Sequence, residues 1–163
     1  MTTLLILYHS LTGGSEAMAR AALLGAQQET GVTPRLVTAA EATAEDLIAA
    51  DGAIFACPEN LATMAGVMKD FFDRAYYPAL GKIEGRPYAT MICAGSDGEG
   101  AARQIARIAT GWRMKAVAEP LILCTHAQTP EAILASKTLP AEALARCQDL
   151  GLAMAAGLAI GVF

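Results

Sequence analysis

Five short apolar runs, each separated from the next by a helix-like stretch, constrain this chain more than any other feature. They are Leu4–Tyr8, Arg35–Thr38, Ala53–Cys57, Tyr88–Ala94 and Pro120–Cys124. The runs are nearly continuous rather than alternating, as expected of strands in a parallel sheet covered on both faces. The helical patterns span Ser15–Gln28, Ala44–Ala49, Met64–Tyr76 and Glu99–Gly111, with a last one from Pro140 to about Ala159. Strictly alternating βα units predict an α/β, doubly wound three-layer sandwich around a five-stranded parallel sheet. A chain of 163 residues suits one such domain, 1–163.

For strand order 2-1-3-4-5 the ligand crevice lies beyond the carboxyl ends of the strands, between the first and third. The loops that meet there are Ser10–Ser15, Pro58–Met64 and Ala94–Gly100. The first reads Ser10-Leu11-Thr12-Gly13-Gly14-Ser15. Hydroxyls and glycines at a strand-to-helix turn fit a phosphate, because a helix start offers unpaired N–H groups and partial positive charge. The loop holds no lysine or arginine. It therefore lacks the lysine of a nucleoside-triphosphate loop, and adjacent glycines do not supply Gly-x-Gly-x-x-Gly. A single phosphomonoester held by neutral donors remains, alongside the plainer reading of an N-capped helix.

Composition narrows the partners. Hydrophobic residues make up 54% and charged ones 17%, which fits a compact and largely buried fold. A net charge of −4 with no basic run argues against nucleic acid and against an anionic membrane surface. The apolar tail Leu150–Phe163 is read as too short to span a bilayer, and cytoplasmic localisation is the expectation. Cys57, Cys93, Cys124 and Cys147 form no Cys-x-x-Cys pair and read as small buried thiols rather than metal ligands. No Ser-His-Asp set, paired catalytic carboxylates or metal-ligand cluster stands out.

The second loop continues into a helix as Pro58-Glu59-Asn60-Leu61-Ala62-Thr63-Met64-Ala65-Gly66-Val67-Met68-Lys69-Asp70-Phe71-Phe72-Asp73-Arg74. The third is Ala94-Gly95-Ser96-Asp97-Gly98-Glu99-Gly100. Taken with the first loop, they make the chain resemble the flavodoxin-like superfamily. Within it, the chain resembles the NAD(P)H-dependent FMN reductases and NAD(P)H:quinone oxidoreductases, the tryptophan-repressor-binding-protein-like proteins among them. The first loop is similar to the flavodoxin phosphate loop, Ser/Thr-x-Thr-Gly-x-Ser/Thr. The stretch from Pro58 to Arg74 resembles the flavin loop and following Gly-x-Met-Lys-x-Phe run of the reductases.

The resemblance implies a flavodoxin-like fold binding FMN, with the 5′-phosphate in Ser10, Leu11, Thr12, Gly13, Gly14 and Ser15. The ring would lie between Pro58, Glu59, Asn60, Leu61, Ala62, Thr63 and Met64 on one side and Ala94, Gly95, Ser96, Asp97 and Gly100 on the other. It also implies NAD(P)H as co-substrate, a quinone or free flavin as acceptor, and a homodimer or homotetramer. The alternative activity is a flavodoxin-type electron carrier without NAD(P)H reductase activity of its own. Asn60 and Leu61 stand where relatives often carry stacking aromatics, which leaves Leu61 or Met64 as aliphatic cover for the ring. His126, after the fifth strand, is either a plain loop histidine or a proton donor to a quinone. Trp112 and Tyr76-Tyr77 are read as core or interface packing, or as flavin cover from a neighbouring subunit. The stretch 125–139 stays open, with Thr129-Pro130-Glu131 as the start of one extra helical turn.

Overall fold

The computed structural model describes residues 1–163. Its central sheet is parallel and five positions wide. The elements in their spatial order are β2 (Val32–Thr38), β1 (Thr2–Tyr8), β3 (Gly52–Asn60) and β5 (Pro87–Ala94), followed by a divided edge strand. That edge consists of β6 (Lys115–Ala116), beside Pro87 and Tyr88, and β7 (Leu121–Cys124), beside Met91–Ala94. The expected order 2-1-3-4-5 therefore stands, but the fifth strand comes in two pieces. A further two-residue strand, β4 (Thr63–Met64), pairs antiparallel with the end of β3.

Alternate residues of each strand feed two cores, because side chains on a strand point to opposite faces. Leu5, Leu7, Phe55, Cys57, Tyr88 and Ile92 face α2 (Ala44–Ala49), α3 (Gly66–Ala79) and α4 (Glu99–Gly111). Leu4, Ile6, Ile54, Ala56, Met91 and Cys93 face α1 (Gly14–Ala26) and α6 (Ala141–Ile160). Both faces being covered explains the unbroken apolar runs. Trp112 is fully buried, donates from Nε1 to the Tyr76 carbonyl at 2.9 Å and stacks on the Tyr76 ring. It is a core residue.

Local signals set most boundaries. Thr43 and Asp46 form a reciprocal capping box that starts α2. Thr129 caps α5 (Pro130–Leu134), so the extra turn in the open stretch is real, with Pro130 in its first turn. Lys69 pairs with Asp73 at 2.6 Å and Arg74 with Asp70 at 2.8 Å along α3. Arg74 also donates to the Ala39 and Ala42 carbonyls, tying α3 to the loop after β2. Arg86 likewise closes the carbonyl end of α2 through Leu47, Ile48 and Ala50.

Two expectations change here. The helix read as Met64–Tyr76 begins at Gly66, because Thr63 and Met64 fold back as β4 instead. The apolar tail read from Leu150 belongs to α6, which has 20 residues and is long and apolar enough to cross a membrane by length and composition. Its buried face, with Cys147, Gly151, Met154 and Ala155, packs against α1. A Cβ on Gly151 would overlap the Ala22 carbonyl oxygen, and one on Gly25 would overlap the Gln148 carbonyl oxygen. The two helices meet backbone to backbone through that reciprocal pair of glycines.

Candidate functional site

The first loop leaves β1 at Tyr8 and enters α1 at Gly14 through Gly13, which sits in the left-handed region at φ 96°. Only glycine adopts that conformation without strain. The Ser10 hydroxyl accepts the Gly13 N–H at 3.0 Å and so shapes the turn. The first intrahelical bond runs from the Ala17 N–H to the Gly13 carbonyl. The N–H groups of Gly14, Ser15 and Glu16 therefore stay unpaired, as the first donors of a helix do. Ser15 is 2% exposed, and its Oγ is a buried side-chain oxygen without a hydrogen-bond partner. A buried hydroxyl rarely goes unpartnered. Here it sits in the first helical turn beside three free N–H groups, a donor set that fits a phosphate.

The second loop is not the open turn its composition predicts. β3 runs on through Pro58 and Glu59 to Asn60, then reverses into β4. The reversal uses Leu61 (φ 51°) and Ala62 (φ 64°), both left-handed, as a type I′ two-residue turn requires. Leu61 is 98% exposed at the tip, and Met64 is buried in the core. Neither side chain lines the cleft between the loops. Thr63 Oγ1 donates within the hairpin to carbonyl oxygens of its own neighbourhood.

Glu59 binds the hairpin to the third loop. Its Oε1 accepts the Gly98 N–H at 2.9 Å and its Oε2 accepts the Ala101 N–H at 3.1 Å. A carboxylate thus occupies the amino end of α4, where the helix dipole favours it. The Met64 N–H donates to Gln104 Oε1 at 2.8 Å, a second tie to the same helix. Gly100 is required by close approach, since a Cβ there would overlap the Ala62 carbonyl. Asp97 and Ser96 are exposed, and Asp97 Oδ1 accepts the Glu99 N–H at the helix start.

A cleft lies between these loops at the carboxyl edge of the sheet. Leu11 and Thr12 line it from the first loop, Pro58, Glu59 and Asn60 from β3, and Ala94 and Gly95 from the end of β5. It is shallow and opens to solvent. Sequence reasoning placed those seven residues together. It missed Cys93, Thr125, Ala127, Ile133 and Lys137, which complete the wall. Thr125 and Ala127 follow the carboxyl end of β7, so the strand-end rule would have found them. Ile133 and Lys137 arrive because the segment after α5 folds back over the first loop, where the Lys137 N–H donates to the Thr12 carbonyl at 2.8 Å. No local pattern announces that. His126 has an exposed side chain and is not part of this wall; its N–H donates to the Gly95 carbonyl.

Burial sets the protonation of the thiols, of which Cys93 lines the cleft. The Cys57 thiol is pushed up to about 12 by desolvation, and burial also raises Cys93 and Cys147. These thiols stay protonated and unreactive near neutral pH. Desolvation lowers His9 below its ordinary 6.5. As pH falls through about 6.5 the unfolded chain takes up a proton that the folded chain still refuses, so stability drops and then levels off below the folded value. The urea midpoint should therefore fall as pH drops from neutral through about 6.5. A His9→Gln variant should lose that part of the fall, whereas an unchanged profile would remove His9 as its source.

Comparison with known proteins agrees with this fold. Residues 23–129 match the family model described as NADPH-dependent FMN reductase. A flavodoxin from Aquifex aeolicus (strain VF5) is 33% identical over 100 residues, covering 61% of this chain and 54% of that protein. An NAD(P)H dehydrogenase (quinone) from Acidithiobacillus ferrooxidans is 34% identical over 94 residues, covering 45% of this chain and 47% of that protein. The matches thus span about half the length of these curated relatives. Among solved structures, a flavodoxin from the domain Archaea superposes with a TM-score of 0.77 at 18% identity, over 96% of this chain and 99% of that one. That likeness establishes the flavodoxin-like fold.

Proposed function

This chain belongs to the NADPH-dependent FMN reductase family, and from that premise we propose that it is an oxidoreductase that holds FMN in the cleft and passes electrons from NAD(P)H to a quinone or free flavin. One observation carries the reading: the unpartnered, buried Ser15 Oγ beside the free N–H groups of Gly14, Ser15 and Glu16. Those groups, with the hydroxyls of Ser10 and Thr12, would hold the phosphate. Gly14 lets the start of α1 pack closely on β5, because a Cβ there would lie 2.6 Å from Cys93 Sγ. Pro58–Asn60 and Gly95 would flank the ring, and Leu11 and Ile133 would give it aliphatic rather than aromatic walls.

FMN, when bound, supplies the acceptance and release of a hydride equivalent. The chain's own residues would bind and orient it at the open cleft. Glu59, committed to the amino end of α4, keeps the β3–β4 hairpin in register with the third loop.

The flavodoxin relative favours a second reading, an electron carrier that needs a separate reductase. Both readings expect protein incubated with FMN and desalted to keep the flavin's visible spectrum, and to keep riboflavin less well. Rapid anaerobic mixing with NADPH then separates them. A reductase bleaches the bound flavin quickly and recovers when a quinone is added, whereas a carrier bleaches slowly. Absence of retained flavin would sink both.

A further inference from the structure

The phosphate loop contains no cation of its own, yet one is laid across it from more than a hundred residues away. Besides its backbone bond to Thr12, Lys137 lies against the two loop glycines. A Cβ on Gly14 would meet Lys137 Cβ at 3.6 Å, and one on Gly13 would meet the Lys137 carbonyl at 3.9 Å. Lys137 also lines the cleft together with Leu11 and Thr12. Its ammonium donates to the carbonyls of Ala132 and Ile133 at 2.8 Å and of Ala135 at 2.6 Å. Three acceptors fix the charge in one place instead of leaving it to sweep through solvent. Burial raises the Cys93 thiol, and the Lys137 charge opposes that rise.

We propose that Lys137 is the cationic positioning residue of the phosphate seat, supplying from the 125–139 segment the charge that the 10–15 loop lacks and clamping that segment onto the loop. The inference rests on the reading of 10–15 as a phosphate site. The same ammonium closes the carbonyl end of α5, a helix that buries no residue of its own. A phosphomonoester is close to doubly charged at neutral pH, and the chain carries a net −4. Without a local cation, that net charge would repel the ligand. Added salt would then improve FMN binding by screening the repulsion. With Lys137 beside the seat, the local attraction is what salt screens, and FMN binding weakens instead.

The test compares FMN with riboflavin, which lacks the phosphate. Dissociation constants are measured by flavin fluorescence at low and high salt for wild type, Lys137→Met and Lys137→Arg. The expected result is a loss of about tenfold in FMN affinity for Lys137→Met, with riboflavin binding unchanged and recovery in Lys137→Arg. Should Lys137→Met fail to fold, Lys137→Gln takes its place, and the same loss confined to FMN is expected. Equal losses for both ligands would make Lys137 a purely structural clamp and overturn the proposal, as would FMN binding that strengthens with salt. Wild type that does not prefer FMN to riboflavin would instead remove the phosphate seat itself, and the proposal with it.

Discussion

Gly151→Ala is expected to destabilise the fold by about 3 kcal/mol, at the high end of overpacking changes. The added Cβ would collide with the Ala22 carbonyl, a backbone atom that no rotamer change can move. Gly25→Ala should behave alike, because its Cβ meets the Gln148 carbonyl across the same crossing. Relief requires α6 to lift from α1, which would open the core around Met18, Ala22, Cys147 and Met154. Because α1 carries Gly14 and Ser15, FMN retention should fall with stability. Gly66→Ala is the control: nothing lies within 4 Å of its Cβ, and its φ is not in the left-handed region. Urea unfolding should place Gly66→Ala at or slightly above wild type. A Gly151→Ala midpoint within about 0.5 kcal/mol of wild type would refute the backbone-contact account.

The parts of this structure legible from sequence are those governed by local pattern. Buried strands read as apolar runs, and Thr43, Thr129 and Pro140 mark helix starts because capping is a short-range affair. The convergence of three loops followed from topology, since parallel strands must all end on one edge. What stayed hidden depends on contacts distant in sequence. The β3–β4 hairpin turns on Leu61 and Ala62, residues without the Asn-Gly signal that a type I′ turn usually carries. Its stability comes instead from Glu59 and Gln104 reaching to and from α4. The edge strand breaks between β6 and β7, although both pieces still pair with β5. Lys137 was unreadable for the same reason: its partner Thr12 lies on the first loop, and spacing along the chain says nothing of where 125–139 will dock.

Removing the Glu59 carboxylate should cost about 2 kcal/mol, because two charge-assisted bonds at a helix start are lost together. In Glu59→Ala the N–H groups of Gly98 and Ala101 lose their acceptor, and the hairpin keeps only the Gln104 bond to hold it against α4. Glu59→Gln retains one oxygen acceptor without the charge, so about half the loss is expected. The effect on ligands should differ in kind from that of Lys137→Met. Loosening the hairpin moves Pro58 and Asn60, which line the cleft on the ring side, so FMN and riboflavin affinities should fall together. The phosphate seat on α1 is untouched by this change, and the preference for FMN over riboflavin should persist. Flavin titrations beside urea unfolding read both quantities on the same protein. If Glu59→Ala kept full stability and riboflavin affinity, the carboxylate would not be what joins the two ring-flanking loops. If it lost the preference for FMN while keeping riboflavin affinity, the division of this site into a phosphate half on α1 and a ring half held through α4 would be wrong.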